Sequence, residues 1–237
     1  MSRLLRAGSV GLALALCAAC ATTNITNRKV ANEQIARPDR LIVHDFAITP
    51  AEVPAESALA DDPAPSKPLS AEELAAAHEL ADAVAKQLVS RIDEMGVHAV
   101  RADGEPPPRT GDVVLRGAFL SIDEGSTVKR LAVGFGYGAA ELRTHVEGFL
   151  MTENGLHRLG SGDVSSGGAG KTPGMAVPLV VTLATANPIG LVVGGAVKGV
   201  GELSGHDTIE GAGKRTADAI ADELKKRFAA QGWIAPD

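Results

Sequence analysis

Leu80, Ala81, Val84, Leu88, Ile92 and Met95 recur at helical spacing with charged and polar residues between them. Ser70-Ala71-Glu72-Glu73 ahead of this stripe fits a capping box and Gly96 behind it supplies a stop, so the pattern predicts one amphipathic helix. A second stretch repeats the arrangement. Ala81 to Val97 aligns without gaps to Ala217 to Trp233, sharing Ala, Asp, Ala, Ala, Leu, Arg and Gly, and the later copy puts Ile220, Ala221, Leu224 and Phe228 on one face before Gly232. Two helices with equivalent packing roles are expected.

The strand pattern is of a different kind. Leu41 to Phe46 is a short β-rich run bounded by Pro38 and Pro50, Val97 to Val100 leaves the first helix, and Val113 to Ile122 reads as another strand. Leu142, Thr144, Val146, Gly148 and Leu150 alternate with Glu141, Arg143, His145, Glu147 and Phe149, which predicts a strand with one wetter face. Asn154-Gly155 is the pair a type I′ hairpin needs, returning the chain along Leu156 to Val164. The expected fold class is α+β, a mostly antiparallel sheet with two amphipathic helices on one face.

The remaining segments carry no such period. Residues 20–38 are polar and read as a tether, and residues 51–69 read as a loop rich in Ala, Pro, Asp and Ser. Residues 174–203 form a Gly-rich apolar tract broken by Asn187-Pro188, expected to be a helical hairpin. Neither half is long enough to span a bilayer as a helix. Gly190 and Gly194, then Gly195 and Gly199, fall four apart and would leave grooves for close packing against protein or lipid. Gly134, Gly136 and Gly138 alternate with Phe135 and Tyr137, giving a bare stripe if extended. These seven glycines are the candidate contact surfaces.

The N-terminus supplies an address. Arg3 and Arg6 precede an uncharged run from Ala7 to Leu16 and then Cys17-Ala18-Ala19-Cys20, the layout of a secretory signal. Small Ala19 before Cys20 makes that cysteine the better acyl acceptor, since bulky Leu16 precedes Cys17. Residues 1–19 are thus expected to be a lipoprotein signal, Cys20 the lipidated residue, and 39–237 a single domain. Dual acylation would anchor the chain stably where one chain would not. Ala21 after the cysteine resembles the outer-membrane sorting pattern, which implies a domain facing the periplasm.

Charge and composition narrow the partners. The chain of 237 residues has 23 basic and 29 acidic residues, and loss of Arg3 and Arg6 would bring the formal charge from −6 to −8. Such a surface disfavours nucleic acid and anionic lipid as partners. Both cysteines lie in the leader, so no internal disulfide is expected. Only 3% of residues are aromatic, which leaves few stacking platforms for bases or sugars.

Chemical motifs are sparse. Ser165-Ser166-Gly167-Gly168-Ala169-Gly170-Lys171-Thr172 is one residue from a phosphate-binding loop, but Ser165 stands where glycine is required and Pro173-Gly174 is a poor helix opening. A small anionic ligand near Lys171 is the residual reading. His44, His78, His98, His145, His157 and His206 show no metal-ligand spacing, and no G-x-S-x-G elbow is present. The expectation is therefore no enzyme, no cofactor and no metal. A binding or structural module is expected instead, partnered by an envelope protein or itself. A membrane-inserting or self-oligomerising protein is the alternative.

Gly111 to Gly125 (GDVVLRGAFLSIDEG), Gly134 to Arg143 (GFGYGAAELR), Asp39 to Phe46 and the helix from Ser70 together resemble a family of uncharacterised bacterial envelope lipoproteins grouped as a domain of unknown function. The resemblance covers about Pro38 to Lys171. It implies an envelope location and an α+β domain, and brings no catalytic residues with it.

Overall fold

The computed structural model describes residues 23–60, 69–123, 140–167 and 208–236. Its strands are β1 (Thr23–Val30), β2 (Leu41–Val43), β3 (Ala99–Arg101), β4 (Val113–Asp123), β5 (Glu141–Thr152) and β6 (Gly155–Gly167). They form one sheet in the order β1-β6-β5-β4-β2-β3. Helices α1 (Ala71–Glu94) and α2 (Ile209–Ala230) cover its inner face, as expected for an α+β domain.

Both helices form where their caps dictate. The Glu73 N–H donates to Ser70 Oγ while the Glu73 carboxylate accepts from the Ser70 N–H, satisfying two donors that a helix start leaves open. Thr208 Oγ1 accepts from the Gly211 N–H in the same role for α2. Gly96 and Gly232 follow the helices with φ +82° and +74°, the left-handed conformation of a helix stop. Leu80, Val84, Leu88 and Ile92 from α1 meet Ile220 and Phe228 from α2 over Leu41, Val43, Leu115 and Val146 of the sheet. The two copies of the internal echo thus serve one core.

The sheet is mixed, which corrects the mostly antiparallel expectation. β1, β6, β5 and β4 pair antiparallel, but β2 runs parallel to both β3 and β4. The cause is connectivity: α1 is a crossover between β2 and β3, and parallel neighbours require such a connection. The segment 102–112, with Pro106 to Pro108, then carries the chain back so that β4 enters beside β2 in the same direction.

Residues 23–37 are also corrected. Read as tether, they form edge strand β1 and a clamped connection. Ile35 N–H donates to Gln231 Oε1 (2.9 Å), Gln231 Nε2 to Glu33 O (2.8 Å), and Arg37 Nη1 to Trp233 O (3.0 Å). Hydrogen bonds hold this polar segment together with the scattered apolar contacts of Ile25 and Ile35, too sparse a pattern for hydropathy to mark. The 51–69 loop opens on a 3₁₀ turn (Pro50–Glu52) and continues in turns to Ala60. The Gly-rich tract 174–203 lies outside the described residues.

The β5–β6 hairpin turns at the expected place by different means. Gly155 alone takes a positive φ (+103°), beside a Thr152 whose Oγ1 donates to Gly155 O and accepts from the Asn154 N–H. With no positive φ at Asn154, the turn is not the type I′ pair, and Thr152 pairs directly with Gly155 across a two-residue loop.

Phe46 locks β2 to β4. The strand expected over Leu41 to Phe46 stops at Val43, and the Phe46 ring stacks on Phe119 with centroids 5.5 Å apart. It lies directly on Gly117, where a Cβ would stand 2.3 Å from the ring and 2.6 Å from His145 O. Gly117→Ala is therefore expected to cost about 3 kcal/mol by overpacking against ring and backbone together. Urea unfolding checks this, and a loss below about 0.5 kcal/mol would contradict the packing described.

Candidate functional site

The outer face of β5 and β6 carries a polar cluster. Alternation along β5 puts His145, Glu147 and Phe149 on this face, and pairing sets Asp163 of β6 opposite His145. Here the wetter face expected from sequence is buried: His145 is 8% exposed, Asp163 7% and Glu147 2%. Ala118 of β4 is the small residue on the other side of His145. The segment around Glu56 crosses above, with Ala58 N–H donating to Glu147 Oε1 (3.0 Å) and Arg158 Nη2 donating to Glu56 O (2.6 Å).

His145 stands between two carboxylates. Its Nδ1 is 2.6 Å from Asp163 Oδ1, and its Nε2 is 3.8 Å from Glu147 Oε1, an ion-pair separation longer than a hydrogen bond. Asp163 also accepts from Asn27 Nδ2 (2.6 Å), and Arg158 Nη2 is 3.2 Å from Glu147 Oε1. Asn27 reaches Asp163 because β1 bulges there and Asn27 takes φ 51°, a conformation asparagine tolerates better than most residues. Four pieces of chain therefore meet at one imidazole: β1, β5, β6 and the covering segment.

The charges sustain one another. Burial alone would lower the His145 pKa, but the hydrogen bond to Asp163 and the contact with Glu147 outweigh it and hold it at about 9. Burial likewise works against ionised Glu147, yet His145, Ser57, Ala58 and Arg158 bring it down to about 2. Asp163 is lowered against its burial by His145 and Asn27. An imidazole held this high stays protonated at neutral pH, where it is a cation paired with two carboxylates rather than a proton acceptor.

A second polar feature adjoins it. His44, Asp45, Glu52, Glu56 and Arg116 line a recess of about 320 Å³. His44 is pushed down to about 4 by burial and by Arg116, leaving it neutral. Among the described residues no group of three or more His, Cys, Asp or Glu side chains is placed to hold a metal.

The inner face holds an apolar cavity of about 150 Å³ between α2 and strands β1, β6 and β5. Its floor is Gly148 opposite Gly160, with Gly162 beside them, and its walls include Ile25, Leu159, Leu224 and Trp233. A Cβ on Gly148 would meet nothing within 4 Å.

Cys20, Lys171 and the contact candidates Gly134, Gly136, Gly138, Gly190, Gly194, Gly195 and Gly199 lie outside the described residues. The sequence reading left His145, Glu147 and Asp163 unconnected, although His145 and Glu147 could have been grouped by alternation. Among the described residues no helix is long and apolar enough to cross a membrane.

The pH dependence of stability follows from these shifts. The His145 pKa is raised from 6.5 to about 9, so its contribution is full below 6.5 and is lost as pH rises through about 9. Glu147 is lowered from 4.5 to about 2, so its contribution is present above 4.5 and is lost as pH falls through about 2. His145→Gln is expected to cost ~3 kcal/mol at about pH 6 and to flatten the decline between about pH 6.5 and 9. Urea unfolding across that range reads both, and an unchanged slope would contradict the assignment.

No curated protein matches the chain. Two solved structures of the PelC dodecamer from Paraburkholderia phytofirmans, one of them a point variant, are similar to it at 14% identity and a TM-score of 0.36. The match spans 64% of this chain and 85% and 86% of theirs. A family model matches residues 41–186, from the start of β2 through the whole β4–β5–β6 meander, and the chain belongs to that family, described as Domain of unknown function (DUF4410).

Proposed function

We propose that the protein is a lipid-anchored cell-envelope protein, acylated at Cys20, whose α+β domain is a non-enzymatic binding module held close to the membrane surface. What carries this reading is spacing. Only Ala21 and Thr22 separate Cys20 from β1, and β1 is hydrogen-bonded into the sheet from Thr23 onward. Three residues of extended chain span about 11 Å at most, so an acyl group on Cys20 anchors the sheet edge itself. The clamp of residues 31–37 onto α2 removes the slack that a free tether would have given.

A binding role is supported by what the polar cluster does. His145 is held charged and paired, which suits a rigid scaffold better than proton transfer. The outer membrane, facing the periplasm, is the proposed location, on the residues around Cys20.

Metabolic labelling with an alkyne-bearing palmitate in a bacterial host tests the anchor. The wild-type and Cys17→Ser chains are expected to be labelled and Cys20→Ser unlabelled; persistent labelling of Cys20→Ser, or none in the wild type, would refute it. A photoreactive residue at exposed Asn24 in β1 is expected to capture phospholipid in intact envelopes. Absence of lipid capture there would contradict a domain held at the surface.

A further inference from the structure

We propose that residues 49–60 are a strap across the outer face that opens as a unit while the sheet beneath stays folded, with the Glu147 carboxylate as its latch. The strap's backbone hydrogen bonds close short turns within itself. Glu52 N–H donates to Thr49 O (3.0 Å), Ser57 N–H to Pro54 O (2.9 Å) and Ala60 N–H to Ser57 O (3.2 Å). Among the described residues, no backbone hydrogen bond joins it to a strand; the last such bonds before it run between Ala47 and β4. Of its twelve residues only Ser57 is buried, whereas Ile48 just before it lies in the core and Leu69 beyond it packs against the core. The strap is therefore slung between two fixed points.

Side chains hold it down. Ala58 N–H donates to Glu147 Oε1 (3.0 Å), and Ser57 bonds the same carboxylate. Arg158 Nη2 donates to Glu56 O (2.6 Å), Arg116 Nη1 lies 3.3 Å from Glu56 Oε2, and Glu52 lies 3.6 Å from His78 of α1. Arg158, Glu56, Glu52 and His78 all reach solvent, which weakens their ties. Glu147 does not, so the bond it accepts from Ala58 is the tie made to a buried charge. A segment with few buried apolar contacts, fastened mainly at one group, opens at lower free energy than the whole domain.

An apolar row lies beside these ties. Ile42 pairs with Val114 and Val114 with Phe149 on the outer face, and they are 2%, 0% and 2% exposed although both helices cover the inner one. Phe149 is two residues along β5 from Glu147, and Val114 is two along β4 from Arg116. Arg158 stacks on the Phe149 ring, 5.6 Å from its centroid, while holding Glu56 O. Opening the strap takes that partner from Arg158 and uncovers the row, so an apolar surface is kept for a minor state of the protein.

Amide hydrogen exchange of the full chain, measured at several urea concentrations below the unfolding midpoint, reads the opening. The amides of Ser57, Ala58 and Ala60 are expected to exchange together, about a hundredfold faster than those of β4 and β5 and with a weaker urea dependence. Strap amides that exchange at the rate and urea dependence of β4 and β5 would overturn the strap. Glu147→Gln is expected to speed strap exchange about tenfold, with β4 and β5 still protected, and to raise hydroxyl-radical oxidation of Phe149 several-fold. Ala58→Pro removes the donated N–H but leaves the polar cluster in place, and gives the same result if Glu147→Gln fails to fold. Strap exchange unchanged in the folded variant would overturn Glu147 as the latch. Faster strap exchange with Phe149 still protected would overturn the apolar row as the surface uncovered.

Discussion

A protonated imidazole held between two buried carboxylates joins parts of the chain that share little else. Asp163 brings β6 to His145, Asn27 brings the edge strand β1 to Asp163, and Glu147 takes the Ala58 N–H of the covering segment. Each group alone would be costly to bury; together each supplies the counter-charge or donor that the others need. The result is a sheet whose outer face is fixed by polarity while its inner face is fixed by aliphatic packing. That difference explains how a chain with only 3% aromatic residues gives definite places to its edge strand and its loop.

The two faces also divide the roles. On the inner face, α1 packs tightly over the parallel half of the sheet, with Leu88 and Ile92 fully buried. α2 instead stands over the antiparallel half, where glycines replace side chains and a cavity results. Edge strand β1 belongs to both: Ile25 walls the cavity while Asn27 points to the cluster. An anchor three residues before β1 would therefore place both features within one strand's length of the membrane.

Much of the fold was legible because local signals agreed with it. The capping box at Ser70, the stop at Gly96, the stripe of α2 and the turn at Asn154-Gly155 each act over a few residues. The mixed sheet was less so, because it depends on α1 being a crossover between two short strands. β1 escaped notice because its residues, including Arg28 and Lys29, are polar and its partner lies more than a hundred positions away. The His145–Asp163 pair turns on a single bulge. Phe149 faces Arg158, but Gly148 faces Gly160, so Leu159 is the extra residue. Without it the turn's register would set Gly162 opposite His145 and turn Asp163 toward the core. No turn or strand signal in the sequence announces that bulge.

The charge state of His145 is the point on which this description rests, and nitrogen-detected NMR of the imidazoles in the full chain measures it directly. At about pH 8, both ring nitrogens of His145 are expected to be protonated, titrating near 9, while His44 stays neutral down to about 4. A His145 that is a neutral tautomer at that pH, titrating near 6.5 like an exposed histidine, would contradict the account.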